Sequence, residues 1–188
     1  MKKYKLTTET LQFAGRTLHR IKAVKDFDSI KAGEFGGWIE NEKNLSQDDN
    51  AWIYGDAMVF DNAEVYGNAN VFGNAKVYGN AEVYGNAEVS GNAEVSDYAK
   101  VYGNAAIKGD AKIHDAVDYI VFKNFWSSGR YFTWTSSNNK WSVGCFYGTG
   151  EELIKKAYAD SEKSGREYER VVRYVESILA DEKKEKSN

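Results

Sequence analysis

The sequence predicts a mainly β fold: a single-stranded β-solenoid with 18 residues per coil, an N-terminal β-hairpin cap and a C-terminal α+β module. Three observations carry that prediction. From Ala51 to Ile113 a six-residue unit recurs eleven times without a slip, with Ala at one position and Val or Ile two residues later. Between units lie short turn-forming words such as Tyr66-Gly67-Asn68 and Tyr84-Gly85-Asn86. The 188 residues include no proline, as a continuous ladder that uses every backbone N–H requires.

Residues two apart on an extended strand point to the same side, so Ala and Val or Ile face inward and the residue between them faces out. A helix does not account for this period. Six residues turn an α-helix by about 600°, which carries an apolar stripe off its face within two units. A heptad seam fails on the same arithmetic. Gly followed by Asn or Asp tolerates the backbone of a sharp corner. Three such sides close an 18-residue coil, and coils stack at about 4.8 Å. The ladders inside are Ile53-Val71-Val89-Ile107, Val59-Val77-Val95-Ile113 and Val65-Val83-Val101.

A solenoid end leaves unpaired backbone and needs a cap. Residues 1–37 are assigned to the N-terminal cap, where Tyr4-Lys-Leu6 and Thr17–Ile21 flank a turn at Ala14-Gly15 and the hairpin plugs the end. The β-helix is assigned to residues 38–118. Ile39 and Leu45 open an irregular first coil, and two extra residues near Ser46–Asn50 shift the phase before Ile53. Residues 119–188 form the C-terminal module. Tyr119–Phe122, Arg130–Trp134 and Trp141–Tyr147 read as strands of an antiparallel meander, separated by turns at Ser127–Gly129 and Ser136–Asn139. Thr149-Gly-Glu-Glu152 is a capping box opening a helix with Leu153, Ala157 and Tyr158. Ser164-Gly165 is expected to break it, and a second helix from about Glu167 carries Val171, Val172, Val175, Ile178 and Leu179 on one stripe. The tail from Asp181 is expected to fray.

The Ala-x-Val/Ile-x-Gly/Asp-Asn/Asp units resemble those of hexapeptide left-handed β-helices. The opening Tyr4-Lys-Leu-Thr7, then Leu18-His-Arg-Ile21, Gly36-Gly-Trp-Ile-Glu40 and Asn44-Leu-Ser46, resemble hexapeptide-repeat proteins of phages and prophages, and Gly144–Thr149 with the helices after it resembles their C-terminal module. Such proteins are called polymer-forming or transferase-like by analogy of fold. The resemblance implies left-handed coiling and a phage setting. It also implies comparison with trimeric acyltransferases that use acyl-CoA donors and a histidine base near a subunit interface. Fold alone assigns no activity, and the hexads run without the inserted loop common in those enzymes.

Composition excludes several classes. A net charge of −3 argues against a nucleic-acid-binding surface, and the single Cys145 excludes a disulfide framework. No apolar run reaches membrane-spanning length, and no signal segment follows the start, so a soluble cytoplasmic protein is expected. No metal-ligand spacing occurs, and no cofactor is expected. His114, at the corner below Phe60, Tyr78 and Ser96, is the catalytic candidate, a general base if any; the alternative is a plain corner residue. His19 belongs to the cap. Cys145 is expected to be a buried structural thiol in an aromatic strand. Gly148-Thr-Gly150 at a helix start lacks the Lys-Ser/Thr of a phosphate loop, so it reads as ordinary capping.

The outward ladders carry the functional expectation. Tyr66, Tyr84 and Tyr102 stack on one edge, and the flat faces alternate Glu64-Glu82-Lys100, Met58-Lys76-Glu94-Lys112 and Trp52-Asn70-Glu88. Residues 51–118 carry ten acidic and four basic side chains, a net −6. Large exposed rings mark contacts. The favoured expectation is a non-enzymatic interaction protein that binds a protein partner through Tyr66, Tyr84, Tyr102, Glu64, Glu82 and Glu88. In a phage setting the partner would be a basic nucleic-acid-binding host protein of a defence system, and the solenoid would self-associate. The alternatives are an acyltransferase and a nucleotide binder or sponge, the latter with Trp126, Arg130, Trp134 and Trp141 stacking on and pairing with a ligand. Against that last reading, the same aromatics suffice for a small core.

Overall fold

Each Ala-x-Val/Ile unit is too short to do more than cross one face of a prism before Gly or Asp turns the corner. The computed structural model describes residues 2–126 and 129–185 and is a β-solenoid of about four turns followed by an antiparallel sheet and two helices. Strands β1 (Tyr4–Phe13), β2 (Arg16–Ala23) and β3 (Phe35–Ile39) come first. Eleven two-residue strands follow: β4 (Trp52–Ile53), β5 (Met58–Val59), β6 (Glu64–Val65), β7 (Asn70–Val71), β8 (Lys76–Val77) and β9 (Glu82–Val83), then β10 (Glu88–Val89), β11 (Glu94–Val95), β12 (Lys100–Val101), β13 (Ala106–Ile107) and β14 (Lys112–Ile113). One face stacks β3-β5-β8-β11-β14, the second β6-β9-β12 and the third β4-β7-β10-β13.

Every rung pairs in parallel with the residue 18 positions on, as in Val71↔Val89 and Val89↔Ile107. The first coil differs: Ile39 pairs with Val59 and Leu45 with Val65, a step of twenty that absorbs the two extra residues. Rungs are joined by regular bonds such as Glu82 N–H to Ala99 O and Tyr84 N–H to Val101 O, both 2.9 Å. Along the repeat the lumen is filled by its Ala, Val and Ile side chains, each at most 1% exposed. Each Val or Ile contributes about 1.5–3 kcal/mol of transfer free energy before chain entropy is subtracted, and stacking makes that core continuous. At the corners the left-handed backbone falls on the first residue, Gly in most coils but Asp61 (φ 59°) and Asp97 (φ 57°) in two. The Asn that follows is not left-handed. It forms amide ladders instead: Asn50 Nδ2 donates to Asn68 Oδ1, and Asn68 Nδ2 to Asn86 Oδ1, each at 3.1 Å.

The N-terminal hairpin is tight at Ala14 and Gly15 (φ 50° and 77°) and covers the N-terminal end of the solenoid by extending one face and placing its inward side chains on the core. It extends the first face as β1-β2-β3, with β2 paired antiparallel to β3. Its inward side chains Tyr4, Ile21 and Ala23, with Ile30 from the following loop, join the solenoid core. The ends of the other two faces are closed by single side chains. Lys3 Nζ donates to Asp49 O (2.8 Å) and Ala51 O (2.9 Å), and the Tyr4 hydroxyl donates to Leu45 O (2.7 Å). Trp52, expected on an outer face, is 1% exposed because Tyr4 and Phe27 meet it edge-on.

The last coil is closed the same way. Thr133 Oγ1 accepts from Ala106 N–H (2.9 Å), Ser137 Oγ from Lys112 N–H (2.8 Å) and Asp118 from His114 N–H (2.7 Å), while Tyr119 donates to Lys100 O (2.9 Å). Tyr119 and Thr133 belong to a four-stranded sheet of β15 (Tyr119–Lys123), β16 (Tyr131–Thr135), β17 (Lys140–Val143) and β18 (Phe146–Gly148), paired antiparallel in chain order. Asp118 ends the short turn before β15, and Ser137 lies in the turn between β16 and β17. The span 141–147, expected as one strand, is two, since Gly144 takes φ 57° and turns the chain. Cys145 lies in that turn and is exposed, not buried. Of the turn expected at Ser127–Gly129, Ser127 and Ser128 lie outside the described residues.

Helix α1 (Gly150–Asp160) begins at the capping box: Thr149 Oγ1 accepts from Glu152 N–H (3.3 Å) and Glu152 accepts from Thr149 N–H (2.7 Å). The break falls at Ser161 rather than Ser164-Gly165. Helix α2 (Glu162–Glu185) already runs through Gly165, where a Cβ would lie 2.2 Å from the Tyr158 ring. Gly165 therefore permits close helix packing and stops nothing. The helix continues past Asp181 to Glu185, so the segment expected to fray is helical up to that point. Leu153, Ile154, Ala157, Tyr168, Val172 and Val175 bury one face of the β15–β18 sheet through Phe132, Trp134, Trp141 and Val143.

Candidate functional site

The tyrosine edge follows directly from the 18-residue step, which sets one corner residue of each coil above the last. Tyr66 and Tyr84 lie with ring centroids 4.9 Å apart and planes at 2°, and Tyr84 and Tyr102 follow at 5.3 Å and 11°. Tyr66 and Tyr84 are half-buried and Tyr102 is 52% exposed. The Tyr66 hydroxyl donates to Glu82 (2.8 Å), and Lys100 Nζ pairs with the same carboxylate at 2.7 Å. Lys100 first, then Tyr66, holds the Glu82 carboxyl below the ordinary glutamate value. Burial, then Glu82, pushes the Tyr66 phenol well above its usual range.

Of the six residues expected to contact a partner, five share this corner and the second face. Glu88 lies across the corner on the third face, beside Asn70 and Ala106. Glu82 is already engaged within the chain, whereas Glu64 is exposed.

His114 sits at the end of another corner. Its Nδ1 is 2.7 Å from Ser96 Oγ and 3.1 Å from Asp97 Oδ2. A nucleophilic relay needs hydroxyl and carboxylate on opposite ring nitrogens. Here both face Nδ1, so Ser96 is not activated as a nucleophile. The arrangement instead orients the ring and turns Nε2 elsewhere, which suits a general base for an external hydroxyl or amine. Ser96 was already placed in the His114 corner ladder by the sequence, but Asp97 was not singled out. The 18-residue step places Ser96 directly under His114, and Asp97 follows it at the next corner position.

The residues expected to hold a nucleotide are not brought together. Trp134 and Trp141 are 3% and 2% exposed inside the C-terminal core, where they fill space between sheet and helices. Trp126 stacks on Phe125 at 4.2 Å and is 46% exposed. Arg130 is exposed beside Gly144. Among the described residues no cluster of three or more His, Cys, Asp or Glu could hold a metal ion, and no helix is long and apolar enough to cross a membrane.

No known family model matches the chain. An alignment 62 positions long, which covers 29% of the chain, is 39% identical to the Escherichia coli K12 protein named "uncharacterized acetyltransferase YdcK" and covers 19% of that protein. The matched stretch thus spans less than a fifth of the relative's length. The repeat, the solenoid and this partial likeness together fit a hexapeptide-repeat family.

Proposed function

We propose that the chain is a recognition module that binds a protein partner along the Tyr66–Tyr84–Tyr102 edge. The observation behind this reading is the parallel ring stack, whose first two rings sit on rungs bonded to the next coil through Tyr66 N–H to Val83 O and Tyr84 N–H to Val101 O. Rings already held in place lose little freedom on binding, so their apolar area is available at low entropic cost. Glu64 flanks the edge, and the net −6 of residues 51–118 suits a basic partner surface. In a phage setting that partner is a basic nucleic-acid-binding host protein, and binding inhibits a host defence component. Affinity purification from the native host tests the reading. A partner retained by the parent chain and lost by Glu64→Lys/Tyr102→Ala, at unchanged melting temperature, supports it. Equal retention by both contradicts it.

A second reading is acyl transfer from acyl-CoA, favoured by the partial likeness to a named acetyltransferase and by the oriented His114 ring. In that reaction Nε2 of His114 takes the proton of an acceptor hydroxyl or amine as it attacks the thioester carbonyl, and CoA leaves as the thiol. Acetyl-CoA turnover abolished by His114→Ala supports this reading. Absence of acetyl-CoA binding in calorimetry ends it.

A further inference from the structure

Where the C-terminal sheet leans on the last two coils, two clefts of about 370 and 470 Å³ meet at Asn104 and Tyr131. One end is aromatic. Tyr102 is the last ring of the three-tyrosine stack and lines the cleft with 52% of its surface exposed, and Tyr119 and Tyr131 stand beside it. Among the described residues no further ring stacks on Tyr102, so the column of parallel planes simply stops there. The other end is cationic. Lys108 Nζ donates to Gly144 O at 3.2 Å, and a Cβ on Gly144 would lie 3.6 Å from Arg130 Cδ and Nε, which brings the two cations together at one turn. Glu88, Asn86 and Asn104 line the same cleft as Lys108 and Arg130.

We propose that this cleft binds a nucleoside phosphate. A planar base continues the tyrosine stack on the open face of Tyr102, a contact worth about 1–3 kcal/mol for base on aromatic. Glu88 accepts from sugar hydroxyls, as carboxylates do in dinucleotide folds. Lys108 and Arg130 take the phosphate, Arg130 through its planar fork. The combined clefts fall within the usual size of small-molecule sites. Corner residue 108 follows Tyr54, Phe72 and Ser90 in its ladder, so a lysine there breaks the pattern of its own corner at the position where an anion would lie. This site does not rest on the partner-binding reading, although it overlaps the proposed edge at Tyr102.

Isothermal titration with ADP, with inorganic phosphate as the second probe, tests the assignment. Saturable ADP binding is expected, weakened about tenfold or more by Tyr102→Ala and again by Lys108→Glu. Glu94→Gln, on the first face, leaves it unchanged. All three positions are surface side chains, and equal melting temperatures verify folding. Absence of saturation at millimolar ADP overturns the proposal. So does ADP binding no tighter than phosphate, or binding indifferent to Tyr102→Ala, since either removes the stacking half of the site.

Discussion

Lys3 is the residue with the most unusual surroundings. Its side chain is 1% exposed, bonded to two carbonyls and 5.2 Å from the Phe27 ring centre. Burial, the largest influence, lowers its pKa to about 8 despite the opposing pull of Asp49. A lysine whose folded value lies below its unfolded value costs stability while charged. That cost is present below about 8 and is relieved as pH rises toward the ordinary value of 10.5. Thermal unfolding should therefore show the chain gaining roughly 3 kcal/mol from this residue between pH 8 and 10.5. Lys3→Met should flatten that slope, and a slope unchanged in the variant would refute the assignment. Gly165→Ala drives a Cβ into the Tyr158 ring and should cost about 1–3 kcal/mol, read by denaturant unfolding. The positions of Ala and Val in the lumen were legible from the repeat alone. Lys3 was not, because one lysine among others at a chain start carries no periodic signal. Its partners are also carbonyls more than forty positions away, which leave no mark on residue type.

At the scale of elements, the repeats need each other and the caps need the repeats. Strands of two residues are far too short to persist alone, so cooperativity runs along the stack. Val83, fully buried in the middle coil, should cost about 2–3 kcal/mol when cut to Ala. The two ends are closed by Lys3, Tyr4, Thr133, Ser137 and Asp118 acting on backbone groups that a further coil would otherwise bond. Removing residues 119–188 should convert the chain to assemblies that grow with concentration, measured by light scattering. A monodisperse truncated chain would show that the edge is harmless without its cap. Sequence patterning placed the capping box, the meander and the apolar stripe of the second helix. It misplaced the helix break because glycine signals both a stop and a close contact, and only the position of the Tyr158 ring distinguishes them. It fused β17 and β18 because aromatic residues on both sides concealed the turn at Gly144.

The whole molecule is a β-solenoid capped at both ends, with the Tyr66–Tyr84–Tyr102 ladder along one outer corner and a net −6 over residues 51–118. The self-association proposed from the repeat architecture is expected to run side by side rather than end to end, since both ends are capped. Size exclusion with light scattering should give a fixed mass, independent of concentration over the working range. The tyrosine column was foreseeable from the 18-residue step, yet the internal use of Glu82 by Tyr66 and Lys100 was not, since a glutamate that contacts a partner and one that bonds its own chain look alike in sequence. The same holds for the tryptophans of the C-terminal module, which composition left open between core and ligand. The most direct test of recognition through the edge is site-specific photo-crosslinking from the Tyr102 position in the native host, with a probe on the first face as control. The account predicts one crosslinked protein species from the edge that is absent from the control position. The same species captured equally from both positions, or none from the edge, contradicts it.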